Sequence, residues 1–212
     1  MRKHMPKSAS DLILRDRLQF EFVSGQDRTT LYGRLDLSDY VNVVKKDGLS
    51  IKELFLQPRV QDGKDGINST SFTNTGLFSQ YFAGDIGQQG ERAAALKIYA
   101  STRAYQNASD VGIASPYVLC VEEWSCFNSQ SGTIADGQQI SNCFYNRFGP
   151  YDLHPDGFIV VSDLLIGVAA DNMILGPVDE TVTVELDVMM IAQPVKITQA
   201  RLDEMLAQAQ DL

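Results

Sequence analysis

Thr181-Val-Thr-Val-Glu-Leu-Asp-Val-Met-Met-Ile-Ala192 alternates apolar and polar residues over a full strand length. Val182, Val184, Leu186, Val188 and Met190 fall on one side, and Thr181, Thr183, Glu185 and Asp187 on the other. A period of two marks a strand with one buried face, and β-branched residues favour that conformation. Pro194 is expected to end it, because proline cannot donate to a ladder. The same alternation recurs upstream. Leu18-Gln-Phe-Glu-Phe-Val23 puts Leu18, Phe20 and Phe22 in phase, and Thr30-Leu-Tyr-Gly-Arg-Leu-Asp-Leu37 does so with Leu31, Leu35 and Leu37. With Ser24-Gly25-Gln26-Asp27 as a turn between them, these two segments read as a hairpin.

Further strands follow. Tyr40 to Val44 is a short extended piece. Leu49 to Gln57 is a strand stopped by Pro58, and its consecutive Leu54, Phe55 and Leu56 demand burial on both faces or a bulge. Leu77 to Phe82 and Pro116 to Trp124 read as strands, and Phe158 to Ile166, the most apolar stretch, as one interior strand. Glu91 to Ala100 is ambiguous, since its alanine run favours helix while Leu96, Ile98 and Ala100 alternate. Residues 60–76 and 125–157 are polar and irregular, and a loop as long as the second is functional or structured by its neighbours. From Thr198, a candidate N-cap, to Leu212 the chain closes as a helix with Leu202, Met205, Leu206 and Ala209 on one stripe. About eight strands with no βαβ alternation give an all-β fold. The expected architecture is an eight-stranded antiparallel jelly-roll sandwich with a short N-terminal arm and a C-terminal helix. The divisions are 1–17 for the arm, 18–195 for the sandwich and 196–212 for the helix.

The 212 residues suit one domain. No apolar run approaches the ~20 residues a membrane-spanning helix needs, so membrane insertion is not expected. Charge is unevenly divided. Residues 1–103 hold 15 basic and 12 acidic residues, a net of +3, whereas residues 104–212 hold 3 basic and 15 acidic, a net of −12. That asymmetry fits either a solubilising acidic surface or two oppositely charged faces. Arg2, Lys3, Lys7, Arg15 and Arg17 cluster near the N-terminus, where flexible cations can reach phosphates.

No strong catalytic motif is present. Asp152-Leu-His154-Pro-Asp156 lies downstream of Cys120, Cys126 and Cys143, but a thiolate nucleophile or a Cys3His zinc site would need tighter spacing. Cys120 in a strand reads as a small buried hydrophobe. Glu122 and Glu123 alternate onto opposite faces, so they cannot act as a carboxylate pair. Asp62-Gly-Lys-Asp-Gly66 lacks the alternating oxygen ligands of a calcium loop. The sequons at Asn68 and Asn107 read as chance. The expectation is no enzyme, no metal and no cofactor. Trp124, with Tyr145 and Tyr151, could stack on a sugar in a lectin-like sandwich.

Arg2, Lys3 and Lys7 as an arm, the strand Thr181 to Ala192, and Leu35-Asp-Leu-Ser-Asp-Tyr-Val-Asn-Val-Val44 followed by Gly48-Leu-Ser-Ile-Lys-Glu-Leu54 together resemble the single jelly-roll coat proteins of small icosahedral viruses. The resemblance spans most of residues 18–195 and is architectural. It implies a self-assembling shell protein, a major capsid protein found in the virion and made in the host cytoplasm. Its partners would be copies of itself, with nucleic acid contacted through the arm. The C-terminal stripe packs on its own chain or on a neighbour. The competing reading is a carbohydrate-binding β-sandwich.

Overall fold

A computed structural model describes residues 11–23, 29–61, 70–71, 91–129, 140–150, 157–171 and 181–208. Within these are β1 (Leu12–Val23), β2 (Thr29–Leu35), β3 (Asp47–Gln61), β4 (Thr70–Ser71), β5 (Glu91–Ser101), β6 (Val118–Ser129), β7 (Ile140–Phe148), β8 (Phe158–Val160), β9 (Leu164–Asp171), β10 (Thr181–Lys196) and α1 (Gln199–Gln208). Two antiparallel five-stranded sheets form a sandwich. The first runs β1-β10-β3, with β4 and β8 both on the far edge of β3; the second runs β2-β9-β5-β6-β7.

The pairings are nested. Setting aside the two-residue β4 and the outermost β7, the first strand pairs with the last (β1 with β10) and the second with the next to last (β2 with β9). Inside them β3 pairs with β8 and β5 with β6. A long hairpin rolled on itself gives this order, which is the eight-stranded jelly roll expected from the sequence. Its core is the alternating inward residues of both sheets, among them Phe20, Phe22, Leu49, Ile51, Ile98, Ile166, Leu186 and Val188.

Alternation correctly identifies the buried faces, but several local expectations are corrected. β1 and β2 are not a hairpin, for they lie in opposite sheets and do not pair. Period two specifies which face is buried, and long-range register decides the partner. Tyr40 to Val44 is a turn rather than a strand. Tyr40 N–H bonds Leu37 O at 2.8 Å, and Asn42 and Asp47 exchange backbone hydrogen bonds of 2.9 Å. Neither proline stops its strand. Pro58 sits in β3 opposite Leu186, in the stretch between β3's pairings with β8 and β4. Pro194 lies beyond Ala192, the last β10 residue paired with β1. In both places one strand edge has no ladder to break among the described residues.

Phe158 to Ile166 is two strands in different sheets. The chain crosses at Ser162-Asp163, where the Asp163 carboxylate accepts the Leu37 N–H at 2.9 Å and pairs with Arg34 of β2. Glu91 to Ala100 is strand, because it gains partners on both edges, β6 and β9. The irregular reading of 125–157 is overturned in part, since β6 continues to Ser129 and β7 occupies 140–148. The consecutive Leu54, Phe55 and Leu56 do reflect a bulge, two residues earlier. Ile191 faces Glu53 while Ala192 faces Ile51, so Lys52 is the extra residue. The inward phase shifts from Leu49 and Ile51 to Leu54 and Leu56, all buried. Lys52 turns its ammonium to Asp11, 2.6 Å away. The turn at 24–27, the Asp62 to Gly66 run, Asn68 and the segment Leu77 to Phe82 lie outside the described residues.

The sandwich hands over to α1 at Ile197, a buried residue whose N–H bonds Lys46 O at 2.9 Å. Its side chain lies where a Cβ on Gly48 would have to go. Thr198 caps the helix as expected, accepting the Arg201 N–H at 3.3 Å on its hydroxyl oxygen. β1 begins at Leu12, so Arg15 and Arg17, assigned to the arm from sequence, belong to the sheet.

Candidate interaction surfaces

The outer face of the first sheet carries the described part of the basic cluster. On β1, residues 13, 15 and 17 face outward, and the register sets them beside Ile191, Met189 and Asp187 of β10. Arg17 Nε binds Asp187 Oδ1 at 2.7 Å, so this guanidinium is already engaged. Arg15 is exposed, next to a shallow groove lined by Phe55, Gln57, Asp187 and Met189. Arg2, Lys3 and Lys7 lie outside the described residues.

Part of the outer face of the second sheet is covered by the chain itself. Residues 102–117 fold back over β5, β6 and β9 and build a small satellite core from Tyr99, Ala108, Val111, Val118 and Val121. Lys97 pins this segment, donating to Ala108 O at 3.2 Å and Val111 O at 2.9 Å while pairing with Glu123 at 2.8 Å. Gly167 lies between Tyr32 and Tyr99 in the register, and any Cβ there would strike the Tyr99 ring. The Tyr32 hydroxyl contacts the Tyr99 hydroxyl and donates to Tyr105 O at 2.7 Å. Burial foremost, then the Tyr32 contact, pushes the Tyr99 phenol well above its ordinary value.

One polar cluster lies inside the sandwich. Glu122 of β6 is buried and faces the first sheet. It accepts from Arg147 Nε at 3.1 Å and Tyr145 Oη at 3.0 Å. It also accepts the backbone N–H of Leu56, while Arg147 donates to Leu54 O and covers the Phe55 ring. Leu54 and Leu56 stand on the stretch of β3 between its two short partners. Two side chains from the second sheet therefore occupy backbone groups of β3 that no neighbouring strand takes among the described residues. Burial holds the Glu122 carboxyl above its usual value despite Arg147 and the hydrogen bonds, which pull it down. Glu123 points the other way, to Lys97, so the two carboxylates are on opposite faces as the alternation predicts.

Trp124 packs against the main core and lies on the Tyr145 ring at 5.0 Å between centroids, tilted by 30°. Trp124 is half-buried, and Tyr145 takes one face of the ring that the sugar-stacking reading needs; Tyr151 lies outside the described residues. Cys120 is a buried cysteine in β6. Cys126 and Cys143 face each other in the β6–β7 register, and the Asp152 to Asp156 segment lies outside the described residues. No group of three metal-ligating side chains occurs among the described residues, and no helix there is long and apolar enough to cross a membrane.

Large apolar side chains are exposed at several separate places: Ile13 on β1, Tyr40, Val43 and Val44 in the turn before β3, Ile113 at 70%, and Phe144 at 60% with Tyr145 on β7. The helix stripe is only partly among them. Leu202 is buried by its own chain and Met205 half-buried. For Leu202 this is the first of the two alternatives, packing on its own chain. The Leu206 side chain and Ala209 are outside the described residues. Sequence reasoning missed β7 and the Glu122–Arg147 pair altogether.

No protein-family model and no curated protein matches the chain. Among solved structures it is similar to a BFDV capsid protein determined as a decamer. The two share 11% identity, the alignment covers 87% of this chain and 99% of that one, and the TM-score is 0.33. The likeness is loose, and the jelly-roll assignment stands on this chain's own strand pairings.

Proposed function

We propose that this chain is a self-assembling shell protein, a viral major capsid protein that encloses a genome and performs no catalysis. The observation that carries the reading is the combination of a closed jelly roll with exposed apolar side chains on separated surfaces. The core is complete within one chain, so Val44, Ile113 and Phe144 are not needed to finish it. A subunit of a closed shell meets several neighbours at once, and apolar contacts at several places suit that geometry. In this reading the arm residues Arg2, Lys3 and Lys7, with Arg15 on β1, approach the genome, and the acidic second half of the chain faces outward. The site of action is the virion, after synthesis in the host cytoplasm.

The test is the mass distribution of the purified chain by light scattering, with negative-stain images of the same fractions. Closed particles of uniform diameter are expected. Removal of residues 1–10 should lower their nucleic-acid content without unfolding the sandwich. A monomer that persists across salt and concentration would overturn the shell reading and return attention to a carbohydrate-binding sandwich.

A further inference from the structure

β7 is the last strand of the second sheet, and among the described residues nothing pairs with its outer edge. We propose that this edge is an interface between copies of the chain, in which β7 pairs antiparallel with β7 of a second copy about a two-fold axis at Phe144. The two second sheets would then join edge to edge into one continuous sheet. The proposal deepens the shell reading by naming one subunit contact, and to that extent rests on it.

Three observations carry it. First, among the described residues β7 is unguarded. Natural edge strands avoid pairing through short length, proline, bulges or outward charge. β7 runs nine residues, contains no proline and keeps an unbroken register with β6. Its one charged residue, Arg147, is turned inward and engaged by Glu122 and Leu54 O. Second, the strand is self-complementary. Ile140-Ser-Asn142-Cys-Phe144-Tyr-Asn146-Arg-Phe148 carries asparagine two residues either side of Phe144 and an apolar residue four either side. Antiparallel pairing centred there sets Phe144 opposite its own equivalent, Asn142 opposite Asn146, and Ile140 opposite Phe148. A two-fold contact requires this match of a surface with itself. Third, Phe144 is 60% exposed, so its own fold leaves its ring unused.

The register makes the test specific. In the full-length chain, Phe144→Lys would set two cations opposite each other across the axis, where like charges repel. Self-association by sedimentation velocity should weaken about tenfold or more, with thermal unfolding unchanged. Phe144→Cys, in a background carrying Cys126→Ser and Cys143→Ser, should form an intermolecular disulfide on mild oxidation, because directly opposed Cβ atoms lie about 4.5–5.5 Å apart. Asn146→Cys in that background should not, since its opposite number is Asn142. Equal cross-linking of the two variants, or association untouched by Phe144→Lys, would overturn the pairing. Failure of the shell reading looks different. Dimers that form in the wild type and are lost in Phe144→Lys, but never grow into particles, keep the β7 contact and remove the shell. Particles unchanged by Phe144→Lys keep the shell and remove the contact.

Discussion

Along β3, the stretch between its pairings with β8 and β4 passes its backbone groups at Leu54 and Leu56 to Arg147 and Glu122. Along the outer side of β7, the described residues offer no such partner. The faces reverse the pattern. The β5, β6 and β9 part of the outer face of the second sheet lies beneath residues 102–117, whereas that of the first presents Ile13 and Arg15 directly. A strand edge is sticky backbone and must be finished somehow. Where the chain finishes an edge with its own buried ion pair, the edge belongs to folding. Where it spends no charge, proline or bulge on an edge, that edge is available to another molecule. The contrast predicts that changes at the β3 closure act on stability and changes at the β7 margin act on association.

The largest effect is expected at the closure. Arg147→Met leaves a buried carboxylate without its cation and Leu54 O without its donor. Breaking a buried pair from one side costs about 3–5 kcal/mol, readable as a lower denaturant midpoint at neutral pH. Phe144→Lys, three residues away but on the open side, should stay within about 0.5 kcal/mol. A comparable loss of stability from both would dissolve the distinction between the margins. Acidity sharpens it further. The folded chain holds the Glu122 proton more tightly than the unfolded chain does. That contribution to stability is full below the ordinary value of 4.5 and is lost as pH rises through the higher folded value. Glu122→Gln should flatten unfolding free energy against pH just above 4.5. Arg147→Met should extend the sloping window upward, because Arg147 is what holds the carboxyl down.

Faces were legible in the sequence because alternation is local, and partners were not because pairing is global. The inward phase of Thr181 to Ala192 reads correctly at Val184, Leu186, Val188 and Met190, yet nothing in it says that β1 and β3 flank the strand. β7 escaped notice because an outer strand contributing little to the core needs no apolar alternation; Asn142, Asn146 and Arg147 make it look like loop. The closure pair did leave a trace. Cys120, Glu122 and Trp124 share the inward phase of β6, and a charge on that phase requires a partner. Arg147 is the only Lys or Arg between residues 104 and 195, so the pairing was within reach of the sequence once the phase was taken seriously. The bulge at Lys52 was visible only as its consequence, the misfit of Leu54, Phe55 and Leu56 to a single period.

The covered face of the second sheet should show an intermediate effect. Gly167→Ala places a methyl group into the space of the Tyr99 ring. Overpacking of this kind costs about 1–3 kcal/mol, and here the ring cannot swing away without breaking its hydroxyl contact with Tyr32, the residue that holds the backbone of Tyr105. A tyrosine near-ultraviolet signal that changes together with the unfolding midpoint would confirm that the ring has moved. An unchanged midpoint would mean that residues 102–117 yield freely and that the covered face is less firmly closed than the β3 edge.

The smallest effect separates the covering segment from the sheet beneath it. Lys97→Met keeps the aliphatic stem but removes the ammonium that holds Ala108 O, Val111 O and Glu123. Glu123 is partly exposed and regains water, so the loss, about 1–2 kcal/mol, should fall on the local opening of the covering segment rather than on global unfolding. The sheet register should survive, because Lys97 remains paired with Glu123 on β6 and Ala169 on β9 through backbone alone. The informative measurement is therefore local: limited proteolysis within 102–117 should accelerate while the global midpoint barely moves. If both changed in proportion, the segment would be part of the cooperative core, and the second sheet would be closed on its face as firmly as the first is closed along β3.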